Sequence, residues 1–165
     1  MCFLRNLRGL MREYGSRNIV YFDESGFKAE SHRPHGWAKK GEKVYGDISG
    51  NNRKATNLIM AQRGGEWLAP MLFPGSCDTI TVDQWIETML LPELDRPSVI
   101  VMDNARFHNK EHIAALLENT PHALLPLPRY SPDFNPIEQS FAIIKKRRQF
   151  TSQSLDEIIR NSYLE

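Results

Sequence analysis

Three carboxylates carry the chemistry in this sequence. Asp103 closes the apolar run Val99–Met102 in VIVMDNARFH, and Asp23 closes Ile19–Phe22 in IVYFDES. Four β-prone apolar residues in a row read as a strand buried on both faces. If the two strands are parallel neighbours, their acids approach closely, and two carboxylates left alone repel until one takes up a proton. A divalent cation removes the conflict. Hard oxygen donors with few nitrogens and no thiolate suit Mg²⁺ or Mn²⁺. Glu138, in YSPDFNPIEQ, supplies a third carboxylate in the first turn of a helix that opens at Pro136. Pro126, Pro128, Pro132 and Pro136 stiffen its approach. Two ions roughly 3.5–4 Å apart can clamp an in-line displacement at phosphorus, with no protein nucleophile.

Each acid also has a structural reading. An Asp at a strand end is commonly a turn or cap residue. With Asn135 as N-cap, Glu138 takes the third helical position, which is the capping-box site. Twenty acidic residues offer many triples, and Glu24 and Asp133 stand beside two of these acids as decoys.

The elements that must position the acids follow from patterning. Residues 3–14 carry Phe3, Leu4, Leu7, Leu10, Met11 and Tyr14 at helical spacing, which predicts a lead-in helix. Ile19–Ser25 is a strand. Residues 26–53 form a long polar connection with a short strand near Val44. Ala55–Gln62 and Trp67–Phe73 flank Arg63-Gly64-Gly65-Glu66, a hairpin signal. Thr81 and Gln84 make a capping box for a helix with Val82, Trp85, Ile86, Met89 and Leu90 inward, ended or bent by Pro92. Ser98–Met102 is a strand. Asn109 caps a helix to about Glu118, with Ile113, Leu116 and Leu117 inward. Ala123–Leu127 is a short strand. Asn135-Pro136 opens a helix with Ile137, Phe141 and Ile144 buried. Ser154 and Glu157 cap a last helix with Leu155, Ile158, Ile159 and Tyr163 inward. Strands first and crossover helices later predict a mixed sheet with helices on its faces. In open α/β sheets ligands gather at the carboxyl ends of the strands.

Composition sets outer bounds. The chain has 165 residues, a net charge of +1 and two cysteines. That suits one domain, gives no bulk charge to attract a polyanion, and provides no disulfide framework, which fits a reducing cytoplasm. No apolar run is long enough for a membrane span, and the N-terminus has no signal-peptide pattern. A glycine-rich phosphate loop is missing, which excludes a nucleotide-triphosphate enzyme.

Taken together, IVYFDESGF, VIVMDNARFH and LLPLPRYSPDFNPIEQSFAIIKK resemble the catalytic domain of DDE transposases, and more narrowly the bacterial insertion-sequence branch of the mariner-like superfamily. The resemblance runs from about Ile19 to Arg148, and thirty-four residues separate Asp103 from Glu138, as expected of that branch. It implies an α/β, ribonuclease-H-like fold: a five-stranded mixed sheet of order 3-2-1-4-5 with helices on both faces. By motif position, Asp23, Asp103 and Glu138 are the catalytic and metal-binding acids. They would hold two Mg²⁺ ions, with Mn²⁺ expected to substitute; Asp23 would bridge both and the other two would hold one each. The implied reaction is DNA cleavage at a transposon end, followed by attack of the freed 3′-hydroxyl on target DNA, commonly at a TA step. The implied partner is double-stranded DNA, transposon ends and target alike, bound by a homodimer. The chain then reads as a single catalytic domain, with a lead-in helix at 1–18, a core at 19–150 and a C-terminal helix at 151–165. The helix-turn-helix region of such transposases is expected to be absent, so the chain would be a fragment, a remnant, or the downstream product of a split frame with a helix-turn-helix polypeptide upstream. A bacterial cytoplasmic location on the nucleoid is implied.

Further residues are candidates around this centre. Asn104 and Asn135 flank the acids and could orient them. His108 could touch phosphate or a water, or simply cap or pack. Lys145, seven positions after Glu138 on one helix face, could contact phosphate, or complement the helix dipole with Lys146, Arg147 and Arg148. Trp37, with Lys39 and Lys40 in HRPHGWAKKGEK, could stack on a nucleic-acid strand or anchor its own loop. The pairs His32/His35 and His108/His112 lack partners for zinc. Two alternatives to transposition stay open: a ribonuclease-H-like nuclease that only hydrolyses, and an inactive remnant that binds DNA or a transposase subunit.

Overall fold

The computed structural model describes residues 2–28, 55–105, 108–129, 131–151 and 153–163. The expected strand near Val44 and the candidate residues Trp37, Lys39 and Lys40 lie outside the described residues.

The lead-in helix α1 spans Cys2–Tyr14. The strands are β1 (Ile19–Phe27), β2 (Thr56–Arg63), β3 (Glu66–Pro74), β4 (Val99–Met102) and β5 (Ala123–Pro126). They form one sheet of order β3-β2-β1-β4-β5. β1 pairs antiparallel with β2 and parallel with β4, and β4 is parallel to β5. This is the order the ribonuclease-H-like reading requires. The β2–β3 hairpin turns on Gly64 and Gly65, and Gly64 takes the left-handed φ of 62° that such a two-residue turn needs.

Side chains alternate between the two sheet faces. Val20, Phe22, Ile59, Ala61, Ile100 and Met102 pack against α2 (Thr79–Trp85), the π-helical turn Ile86–Leu90 that continues it, and α4 (Lys110–Leu117). On the other face Phe27, Leu58 and Met60 meet α5 (Ile137–Phe150) and α6 (Leu155–Tyr163). Ile19, Val99, Val101 and Leu125 share that side with the apolar stripe of α1. Each fully buried large apolar side chain contributes about 1.5–3 kcal/mol of transfer free energy, so the sheet is fixed from both faces.

Local expectations are modified in three places, while Pro92 ends its helix as expected. β1 does not stop at the acids: it runs to Phe27, because Asp23 through Phe27 pair residue by residue with Met60 back to Thr56. Asp23 therefore sits mid-strand. The α2 cap is Asp78, whose Oδ1 accepts from the Thr81 N–H at 2.8 Å and the Thr81 hydroxyl at 2.7 Å, so Thr81 is a donor to the cap. Leu91–Glu93 forms a short α3 with Pro92 in its first turn, and the helix ends there. Tyr163 is exposed and donates its hydroxyl to Glu93 Oε1 at 2.6 Å, where an inward position was expected. The expected caps at Asn109 and Ser154–Glu157 form: Asn109 accepts from His112, and Ser154 and Glu157 bond each other's backbone N–H.

Candidate active site

β1, the end of β4 and the start of α5 bring Asp23, Asp103 and Glu138 to the wall of one cleft of about 620 Å³. The parallel β1–β4 register, Tyr21 opposite Val101, carries both strands to the same end of the sheet. Asp23 lies on the sheet face shared with α5 and Glu24 on the opposite one, following the pleat.

Each carboxylate is differently held. Asp23 Oδ1 accepts the Glu24 N–H at 2.8 Å, and Oδ2 accepts from Asn135 Nδ2 at 3.0 Å. Burial, then the charges of Glu24, Asp103 and Glu138, push its carboxyl up to about 7. Asp103 ends below the ordinary carboxylate range. Burial alone would raise it, but the His108 imidazole and the Ala105 N–H outweigh that, with Lys110 adding charge. Asp103 Oδ1 lies 2.8 Å from His108 Nδ1 and accepts from Ala105 N at 2.9 Å. Glu138 is exposed in the first turn of α5. Environments that push carboxyl groups apart in this way are typical of functional sites.

His108 is buried between two acids, with Nε2 3.4 Å from Glu24 Oε2, and its ring lies 5.6 Å from that of Phe22. Burial opposes its charge, but the contacts with Asp103 and Glu24 raise it to about 9. Glu24, a decoy for the metal-binding acids in the sequence, contacts His108 from the opposite sheet face to Asp23. Asn135 leaves the cap position to Pro136, which makes no side-chain cap bond; its amide turns to Asp23 instead, and the expected capping box with Glu138 does not form. Asn104 Nδ2 donates to the Leu127 carbonyl at 2.8 Å, tying the ends of β4 and β5 together. Lys145 does not line the cleft. Its Nζ sits 5.6 Å from the Phe27 ring centroid, a cation–π contact. Among the described residues, Lys110 and Arg129 line it beside His108, and the sequence reading passed over both. A signal was present for Lys110: a cation on the first helical position opposes the helix dipole, and a broken local rule points to function.

The donor set fits a hard divalent cation. Among the described residues no three His, Cys, Asp or Glu side chains converge tightly enough to enclose an ion as they stand. Yet the site carries the electrostatic deficit a cation relieves, seen in the raised Asp23. Asn135 Oδ1 is also a buried acceptor with no hydrogen-bond partner among the described residues, beside Asp23. A hydrated cation supplies the missing positive charge and donors.

Comparison with known proteins bears on the fold. The fold is similar to that of the Mos1 strand transfer complex, at 18 % identity and a TM-score of 0.73, covering 94 % of this chain and 49 % of that one. The Mos1 mariner paired-end complex with Mg matches at 19 % identity and 0.73, covering 97 % and 52 %. The catalytic domain of Mos1 mariner transposase matches at 16 % identity and 0.62, covering 97 % and 76 %. The chain spans about half the length of the first of these. No curated protein sequence matches it. No helix among the described residues is long and apolar enough to cross a membrane. The family model for the DDE superfamily endonuclease matches residues 18–159, most of the chain and all three acids, so the chain belongs to the DDE endonuclease superfamily.

Proposed function

We propose that this chain is the catalytic domain of a transposase of the bacterial insertion-sequence type, which cuts DNA at the element's ends and joins them to a target. The observation that carries the proposal is the gathering of Asp23, Asp103 and Glu138, from three separate elements, onto one cleft. In this reading the three acids hold two Mg²⁺ ions, with Mn²⁺ as a substitute. Ions held there would supply activation of a water or 3′-hydroxyl nucleophile and neutralisation of the departing oxygen. Asp103 is kept ionised by His108 and the Ala105 N–H and is ready as a donor. Asp23, oriented by Asn135 Nδ2 and the Glu24 N–H, would hold an ion in its deprotonated form. His108 and Glu24 act through Asp103 as positioning residues.

The partner is double-stranded DNA, and a homodimer on paired ends fits a reaction that joins two ends. Residues 1–165 act as one catalytic domain in the bacterial cytoplasm, with a helix-turn-helix polypeptide as the partner that reads the element's ends. Mn²⁺ titration followed by electron paramagnetic resonance, with supercoiled plasmid nicking, tests the site. Asp103→Asn is expected to lose both ion binding and nicking. Unchanged binding and nicking in that variant would refute the assignment. A pre-cut duplex with a free 3′-hydroxyl separates the reactions: joined products support strand transfer, and products of water attack alone leave a hydrolytic nuclease.

A further inference from the structure

Three carboxylates alone repel DNA, and two divalent ions over-neutralise them by a single charge. That suffices for the scissile phosphate but not for its neighbours along the strand. Two further cations line the same cleft. Lys110 is half-buried, directly after the N-cap Asn109, and its charge acts on Asp103. Helix dipoles favour anions at that position, and Glu111 in the same turn satisfies the preference, so local helix energetics do not account for a lysine there. Arg129 is exposed in the connection after β5, where its carbonyl accepts from the Ser131 hydroxyl at 3.3 Å. Neither cation has a carboxylate partner within salt-bridge distance among the described residues, whereas Arg63 and Arg160 do.

We propose that Lys110 and Arg129 hold the phosphates on either side of the one that reacts, so that a DNA strand crosses the cleft between α4 and the connection after β5. This rests on the reading of the cleft as a phosphodiester site. It adds the strand's path and two residues that bind it. Backbone contacts of this kind fix register without reading sequence.

The test uses the 165-residue chain, a fluorescein-labelled duplex of arbitrary sequence and Ca²⁺, with anisotropy measured across a salt series. The double variant Lys110→Gln, Arg129→Gln is expected to lose about tenfold in affinity at low salt. Its slope of log affinity against log salt should be shallower by about two, near one for each phosphate contact removed. The charge-keeping variant Lys110→Arg, Arg129→Lys should retain the wild-type slope. A folded double variant with an unaltered slope overturns the proposal, and so does an equal loss in the charge-keeping variant. If the double variant does not fold, each single Gln variant is expected to lower the slope by about one, and no change in either overturns the proposal. Failure of the underlying reading shows differently: the wild type would neither bind Mn²⁺ nor nick DNA, while the salt slopes still report on the two cations.

Discussion

Asp23 is a half-buried carboxyl crowded by three others, and its elevation to about 7 has two consequences for the residue itself. An ion can bind only the deprotonated form, so binding below pH 7 must expel a proton. Mn²⁺ affinity is therefore expected to fall about tenfold for each pH unit below 7 and to level off above it; a flat profile from pH 5 to 7 would contradict this. The second consequence concerns stability. A carboxyl raised on folding binds protons more tightly in the folded chain than in the unfolded one, so the metal-free protein gains stability as pH falls from 7 towards 4. Asp23→Asn removes the buried charge altogether, and is expected to raise the Tm of the metal-free chain at pH 8 while abolishing ion binding. That Asp23, Asp103 and Glu138 could meet on one cleft was legible in the sequence. Their differing states were not, because these arise from burial, Glu24, His108 and the Ala105 N–H, which act on the acids only after folding.

At the scale of elements, the caps show what local sequence can and cannot reveal. Ser154 and Glu157 satisfy each other's backbone within four residues, so their pairing is written locally. Ser154→Ala is expected to cost about 1 kcal/mol, measured by urea unfolding, because α6 covers Phe27, Leu58 and Met60. Asn135 has an equally good local signature, yet its amide is claimed by Asp23 from far along the chain. Asn135→Ala should therefore leave α5 largely intact by circular dichroism and weaken Mn²⁺ binding by about tenfold. Loss of helix with ion affinity retained would show that Asn135 is a cap after all. β1 illustrates the same limit: a strand that looks finished at an acid continues because β2 supplies partners for its next residues. Asp78 displaced Thr81 as the α2 cap because one carboxylate oxygen can take both donors of Thr81.

For the whole molecule, the strand order was legible because the family resemblance and the order of elements agreed, and the packing of helices on both faces follows from it. The two cleft cations escaped because Lys110 and Arg129 belong to segments with no shared local pattern, brought together only by parallel β4 and β5. A ligand that binds only the folded chain raises its stability by mass action. Millimolar Mg²⁺ is thus expected to raise the Tm of the wild type beyond any effect of NaCl at equal ionic strength, and the rise should vanish in Asp103→Asn. A Tm insensitive to Mg²⁺ would speak against an ion site.

The contact between Asn135 and Asp23 joins residues 112 apart in the chain. During synthesis Asp23 leaves the ribosome long before the segment that holds Asn135 and Glu138. Until that segment arrives and docks, a growing polypeptide lacks one acid and the brace for another. On the proposed reading, a nascent chain can therefore neither complete the ion site nor cut DNA until the segment bearing Asn135 and Glu138 has been made and docked.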